Sequence, residues 1–291
     1  MFSKRIKETH RARAVVTGAG GGIGREIAVE LGRRGSDVVC ADIDLDGAEN
    51  TAAAIRALGR TARAVRCDVA DRSQLELLAK NAEEMLGGAV TLLVNNAGVG
   101  IGGQRIGEIG QTDWEWALGI NLWGMINGCE LFLPQITRAG HGGIINVSSA
   151  AAFAAAPTMA PYNVGKAGVL ALSETLAAEL AGTPLSVTVL CPTGVKTNIV
   201  ANARATDGER NLGQLALRLI GMSPERVARR VLDGFDAGRL YVVPNPDAKL
   251  VWAAKRHFPR TYLAGAGVLQ RLMPHASSLA ARVTNRGTVS K

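Results

Sequence analysis

Short, largely apolar runs alternate with longer helical stretches along most of the chain. Ala14–Thr17, Asp37–Ala41, Ala62–Arg66, Val90–Val94, Gly143–Ser148, Ser186–Leu190 and Leu240–Val243 are too short for stable helices, which predicts about seven strands. Arg25–Arg34, Leu45–Leu58, Arg72–Leu86, Thr112 to about Phe132, Pro161–Leu180 and Ser223 to about Ala237 have the length or spacing of helices. Strand then helix, repeated, is the pattern of a doubly wound α/β fold. It implies parallel strands, right-handed crossovers, helices on both faces and a ligand at the carboxyl ends of the strands.

Two stretches depart from amphipathic patterning. Leu118–Leu133 and Ala167–Leu180 are apolar on nearly all sides. Such helices need burial all round, more than one sheet face supplies, so self-association as a homodimer or homotetramer is expected.

Composition adds bounds. With 291 residues, 47% of them hydrophobic, and 35 glycines, the chain suits one large α/β domain, residues 1–246, with an extension over 247–291. It has no apolar run long enough to span a bilayer, and the basic start Met1–Lys7 lacks the apolar core of a secretory signal. Cys40, Cys67, Cys129 and Cys191 lie scattered without a C-x-x-C pair, as expected of free thiols in a reducing, cytoplasmic setting. His10, His141, His257 and His275 have no metal-ligand spacing, so no metal is expected. The net charge of +8 resides in the tail: eight basic residues and no acid follow Asp247.

The first candidate chemistry is Gly18-Ala-Gly-Gly-Gly-Ile-Gly24, set between a strand and a helix. Glycines there let a ligand approach the backbone, and the helix start offers free amides to a pyrophosphate. Asp42, eighteen residues after Gly24, stands where an acid accepts hydrogen bonds from a ribose and repels a 2′-phosphate, which favours NAD; Arg25 and Arg66 keep NADP as the alternative. Asp68, at the end of the next strand, is placed to reach an adenine edge.

The second is Ser149, Tyr162 and Lys166. Residues four apart share a helix face, so Lys166 stands one turn above Tyr162. A phenol ionises near pH ~10, too high for a good base at neutrality, and a neighbouring ammonium is expected to lower that value. Ser149, at a strand end, can hydrogen-bond the same substrate oxygen. Asn121 lies inside an apolar helical stretch, a poor place for an amide without a partner.

Taken in order, Thr17–Gly24, Asp68-Val69, Asn95-Asn-Ala-Gly98, Ser149, Tyr162-x-x-x-Lys166 and Pro192–Thr197 resemble the short-chain dehydrogenase/reductase family over roughly residues 12–245. The resemblance implies a Rossmann-like domain in which Ser149, Tyr162, Lys166 and Asn121 are catalytic, Asn121 holding a water that links Lys166 to solvent. It further implies a cofactor cleft lined by Thr17, Gly18, Gly20, Gly22, Ile23, Gly24, Asp42, Asp68, Val69, Asn95, Ala97, Gly98, Tyr162, Lys166, Pro192, Val195 and Thr197, with the Thr197 hydroxyl on the nicotinamide amide. Paired helices at the two apolar stretches would form the subunit contact, and residues 198–223 a substrate lid. One departure stands out: Thr193 occupies the usual glycine position after the proline, with Gly194 one place later.

The expected activity is oxidation of a CH–OH group with NAD(P), or the reverse. Ala150–Ala156 and Val99–Ile101 carry no charge, which points to a lipophilic secondary alcohol or ketone. A nucleotide-sensing or partner-binding module on this fold is the alternative from another class, and the intact Ser149, Tyr162 and Lys166 argue against it. Beyond residue 247, Trp252, Phe258, Tyr262, Leu263, Leu269, Leu272 and Met273 interleave with basic residues. Two readings stand for this tail: a helical segment packed over the body or cleft, or one lying on an anionic membrane surface. No motif for nucleic acid is present.

Overall fold

A computed structural model describes residues 7–205, 210, 221–268 and 271. Seven parallel strands form one sheet in the order β3-β2-β1-β4-β5-β6-β7: β1 Arg13–Thr17, β2 Asp37–Asp42, β3 Ala62–Arg66, β4 Leu92–Asn95, β5 Gly142–Val147, β6 Leu185–Leu190 and β7 Tyr241–Val242. The central strands are buried on both faces, which is why they read as continuous apolar runs.

The helices α1 Gly22–Arg33, α2 Leu45–Arg56 and α3 Arg72–Leu86 carry the first three crossovers. Asp44 caps α2 by accepting from the Gly47 amide, and Asp71 caps α3 by accepting from Ser73. Winding reverses between β1 and β4, which opens a crevice at their carboxyl ends. In register, Thr17 pairs with Ala41, Val94 with Val16 and Asn95 with Asn146, so the motif-bearing loops leave the sheet along one edge.

The single helix expected over 112–132 is three elements: α4 Gln111–Leu118, a π-helical turn Gly119–Trp123, and α5 Gly124–Ala139. Side-chain demands at Asn121, described below, and close packing at Gly124 coincide with the turn; a Cβ on Gly124 would lie 2.9 Å from Val69 Cγ2. Further on come α6 Ala151–Ala154, a short helix the sequence pattern does not reveal, then α7 Ala160–Glu179, α8 Pro224–Asp236 and α9 Pro246–His257. Ser223 caps α8 and Pro224 begins it, as expected. A further helical stretch covers 259–268.

Two apolar layers sandwich the sheet, one centred on Ile27, Leu31, Ile55 and Phe235, the other on Leu75, Leu78, Phe132 and Ile136. A third, smaller cluster joins Ala150 and Phe153 to Ala248, Val251 and Trp252, tying the start of the C-terminal extension to the body. No helix among the described residues is long and apolar enough to cross a membrane.

Candidate active site

The cofactor side is built from the ends of β1, β2 and β4. Gly18 and Gly22 have φ of +65° and +55°, conformations that favour glycine, and a Cβ on Gly24 would lie 2.1 Å from the Gly18 carbonyl oxygen. No side chain caps α1, whose N-cap is Gly21. The amides of its first turn therefore keep their capacity for an anion. Asp42 faces this loop: one carboxylate oxygen accepts from the Gly20 amide at 2.7 Å, the other from Asp44 at 3.0 Å.

The expected cofactor residues divide by the direction of their side chains. Thr17 is buried and accepts from the amides of Asn96 and Ala97 at 3.0 and 3.2 Å, so its hydroxyl ties β1 to β4. Asn95, expected in the cleft, is turned into the core: its amide reaches Asn146 Oδ1 at 3.0 Å and the Met125 carbonyl at 3.3 Å. Asn96 takes the position at the loop instead, donating to the carbonyls of Thr17 and Gly18 at 2.9 and 3.0 Å. Sequence reading passed over Asn96, although the Asn-Asn pair at a strand end signals that one of the two faces outward. Val69 and Val195 also pack into the core, leaving backbone as their offering to a ligand, and Ile23 and Ala97 are half-buried against it. Asp68 accepts from Ala70 at 3.0 Å. Thr197 lies against α1, its Cγ2 3.1 Å from where a Cβ of Gly22 would stand.

Catalytic candidates meet beyond the end of β5. Ser149 Oγ accepts from the Ala151 amide at 3.1 Å and lies 3.4 Å from the Pro192 carbonyl, which fixes it above the sheet edge. Tyr162 and Lys166 occupy adjacent turns of α7, with Lys166 Nζ 5.8 Å from the phenol ring centroid. That ammonium is buried and donates to the Val147 carbonyl at 3.0 Å. Gly98 fits against it with no room for a side chain: its Cβ would lie 2.9 Å from Asn121 Oδ1 and 3.2 Å from Lys166 Nζ. Asn121, fully buried in the π turn, donates to the Val99 carbonyl at 2.9 Å and accepts from the Val99 amide at 3.0 Å.

The electrostatics run against one expectation. Burial pushes the Tyr162 phenol above its ordinary value, and the Ser149 hydroxyl opposes that shift by favouring the phenolate. Burial also lowers the pKa of Lys166, to about 8. Desolvation is the largest cause for both groups. Cys191, beside Lys166, is pushed up to about 12 by burial and stays a thiol.

The residues after Ser149 form α6, which is apolar throughout and packs against the C-terminal extension. Trp252 stacks on Phe153 with ring centroids 5.3 Å apart, Tyr241 meets Trp252 edge-on at 5.2 Å, and the Tyr262 hydroxyl donates to the Ala154 carbonyl at 2.9 Å. The start of the expected lid pairs with 100–102: Arg204 donates its amide to Gly100 at 3.1 Å, stacks over Trp116 at 3.8 Å and meets Asp113 at 2.7 Å. Residues 206–209 and 211–220 of that lid, and Leu269, Leu272 and Met273 of the tail, lie outside the described residues. Thr193 gives its amide to Asn245 Oδ1 at 3.3 Å, and Asn245 Nδ2 donates to the Gly194 carbonyl at 3.4 Å, so the altered turn is fastened from the start of α9.

A doubly wound sheet, an uncapped glycine turn and a Ser-Tyr-Lys cluster beside it define a dinucleotide-dependent oxidoreductase. Comparison with known proteins agrees. The short chain dehydrogenase family pattern matches residues 12–208. A Mycobacterium tuberculosis protein named as an oxidoreductase, SadH, is 34% identical over 264 residues, covering 88% of this chain and 94% of that protein. The 1-deoxy-11-beta-hydroxypentalenate dehydrogenase of Streptomyces exfoliatus is 34% identical over 81% of this chain and 84% of its own length. The crystal structure of a short-chain dehydrogenase/reductase from Burkholderia phymatum in complex with NAD superposes with a TM-score of 0.80 at 31% identity, covering 86% of this chain and 94% of that one. The chain belongs to the short-chain dehydrogenase/reductase family of oxidoreductases.

Proposed function

We propose that this protein is an NAD-linked dehydrogenase, or in reverse a carbonyl reductase, of lipophilic secondary alcohols. The observation that carries the reading is Ser149, Tyr162 and Lys166 gathered beside the uncharged helix α6, where Ala150 and Phe153 are core and Ala151 and Ala152 half-buried.

The uncapped start of α1, the close approach that Gly18, Gly20, Gly22 and Gly24 permit, and the carboxylate of Asp42 suit a dinucleotide with a free ribose diol. Gly98, Pro192, Val195 and Thr197 would border its nicotinamide end, and Asp68 its adenine. When bound, the nicotinamide supplies the hydride acceptor or donor. Arg25 and Arg66, both exposed, support NADP as a second reading.

Tyr162 is the group that exchanges the hydroxyl proton. In oxidation its phenolate takes that proton, and in reduction the phenol returns it to the carbonyl oxygen. Ser149, pinned by the Ala151 amide, orients the same oxygen. Lys166 adds positive charge behind the tyrosine below its own pKa, and Asn121 holds the Val99 backbone against it so that protons pass toward solvent.

Self-association accompanies this reading. Trp123 and Val164, 57% and 48% exposed, leave apolar surface on the π turn and on α7. The four buried free thiols suit a reducing, cytoplasmic compartment. Residues 1–246 form the catalytic unit and 247–291 an appended segment.

The test is absorbance at 340 nm with purified protein, NAD or NADP, and a panel of apolar secondary alcohols at about pH 9. NADH formation that disappears in Tyr162→Phe, with NAD binding retained, supports the reading. Turnover confined to small charged hydroxy acids would sink the substrate class, and turnover with NADP alone would sink the role of Asp42.

A further inference from the structure

Past α6, the C-terminal extension carries four large apolar side chains that the body does not cover. On α9 the inward positions are Ala248, Val251, Trp252 and Lys255, while Lys249, Leu250, Ala253 and Arg256 face outward. The next helical stretch, 259–268, meets the body through Tyr262 and Ala266, one turn apart. Its outward arc carries Leu263, Ala264, Gly267 and Val268 with Arg260. Leu250 is 71% exposed, Phe258 68%, and Leu263 and Val268 54% each. These four large apolar side chains are spread over residues 250–268, where they interleave with the bases of the same segment.

Charge selects what covers this face. Lys249, Arg256, Arg260 and Arg271 are exposed around it, and no acid follows Asp247. A second copy of the same face would bring like charges together. Residues 272–291 add Arg282, Arg286 and Lys291, again with no acid, so the chain's own end offers no complement either. An anionic bilayer offers both things the face lacks, negative charge for the bases and an acyl boundary for the apolar side chains.

We propose that residues 249–268 dock the protein peripherally on an anionic membrane, with Phe258 and Leu263 entering the headgroup boundary. Tyr262 and Trp252 hold the same segment against α6, whose first residue lies two positions after Ser149, so the docked face borders the mouth of the cleft. Resting on the lipophilic-alcohol reading, this placement lets a substrate dissolved in the bilayer reach the site without crossing water.

Co-sedimentation of the full chain with phosphatidylcholine vesicles, with and without a quarter phosphatidylglycerol, tests the docking independently of turnover. Binding should require the anionic lipid, weaken as salt is raised, and fall about fivefold in Arg256→Gln, which removes one charge, and roughly thirtyfold in Lys249→Glu, which reverses one. The double variant F258E/L263E should lose it while keeping its melting temperature and the rise in melting temperature that NAD produces. Sedimentation velocity on the same variants checks the other occupant. Absence of wild-type binding to anionic vesicles overturns the proposal, as does binding that survives F258E/L263E. A smaller assembly in F258E/L263E would overturn it in favour of a contact between copies. Vesicle binding with no turnover of lipophilic alcohols would leave the docking standing and remove only the substrate class.

Discussion

Asn121 uses both ends of its amide on one residue, donating to the Val99 carbonyl at 2.9 Å and accepting the Val99 amide at 3.0 Å. The bond pair joins the π turn between α4 and α5 to the loop after β4, and Gly98 fits between that amide and Lys166. Asn121→Leu strands two part-buried backbone groups of Val99. We expect a loss of roughly 2–4 kcal/mol in urea unfolding and a fall in kcat larger than the loss of NAD affinity by titration.

Ser149 provides the interaction that favours the Tyr162 phenolate against the cost of burial. Oxidation needs the phenolate, so its kcat/KM should climb about tenfold per pH unit on the acid side of the phenol's pKa, while reduction declines as pH rises. Ser149→Ala should move the ascending limb to higher pH and lower kcat by about a hundredfold. An unmoved limb would place Ser149 outside the acid–base chemistry.

Lys166 carries a stability signature as well. Its folded pKa of about 8 lies below the unfolded value near 10.5, so the unfolded chain binds the proton more tightly. Below about pH 8 both states are protonated and the buried ammonium costs about 3 kcal/mol; as pH rises from about 8 to 10.5 that cost disappears. Lys166→Met should therefore abolish turnover and raise stability at pH 7. The difference between variant and wild type in denaturant midpoint should shrink toward pH 10.

Asp42 accepts from the Gly20 amide at 2.7 Å at the edge of the glycine turn. Asp42→Ala removes the negative charge and that acceptor together. The KM for NAD should rise roughly ten- to hundredfold while that for NADP falls, both measured with one alcohol.

Trp252 and Tyr262 reach α6 from the extension. Trp252→Ala should raise KM for bulky alcohols about tenfold and cost roughly 3 kcal/mol of stability. Tyr262→Phe, which deletes one hydrogen bond to the Ala154 carbonyl, should cost about 1 kcal/mol. Equal KM values in wild type and W252A would remove the extension from the substrate wall.

What could be read from the chain follows the range of each interaction. Seven strands, the glycine turn with its flanking strand and helix, and the spacing from Tyr162 to Lys166 are local patterns, and they are legible. The π turn at Asn121 depends on a backbone partner 22 positions away, so a periodic window over 112–132 sees only helix. Of Asn95 and Asn96, the parity of β4 decides which side chain meets the core, and that parity is fixed by pairing with Asn146 across the sheet. Spacing shows Lys166 next to Tyr162, whereas the burial that raises the phenol and lowers the ammonium leaves no mark in it. The stack of Trp252 on Phe153 joins elements about a hundred positions apart and leaves no mark on either alone.

Asn245 fastens Thr193 and Gly194 from the start of α9, and Trp252 and Tyr262 brace the helix after Ser149. Every residue of the catalytic cluster has therefore left the ribosome well before the residues that hold its surroundings exist. A chain emerging from synthesis can close its nucleotide-binding half early, yet its substrate half stays unfinished until the C-terminal segment arrives. A truncation near residue 240 would keep every signature motif while removing Asn245, Trp252 and Tyr262, and with them the contacts that fasten the Thr193 turn and α6.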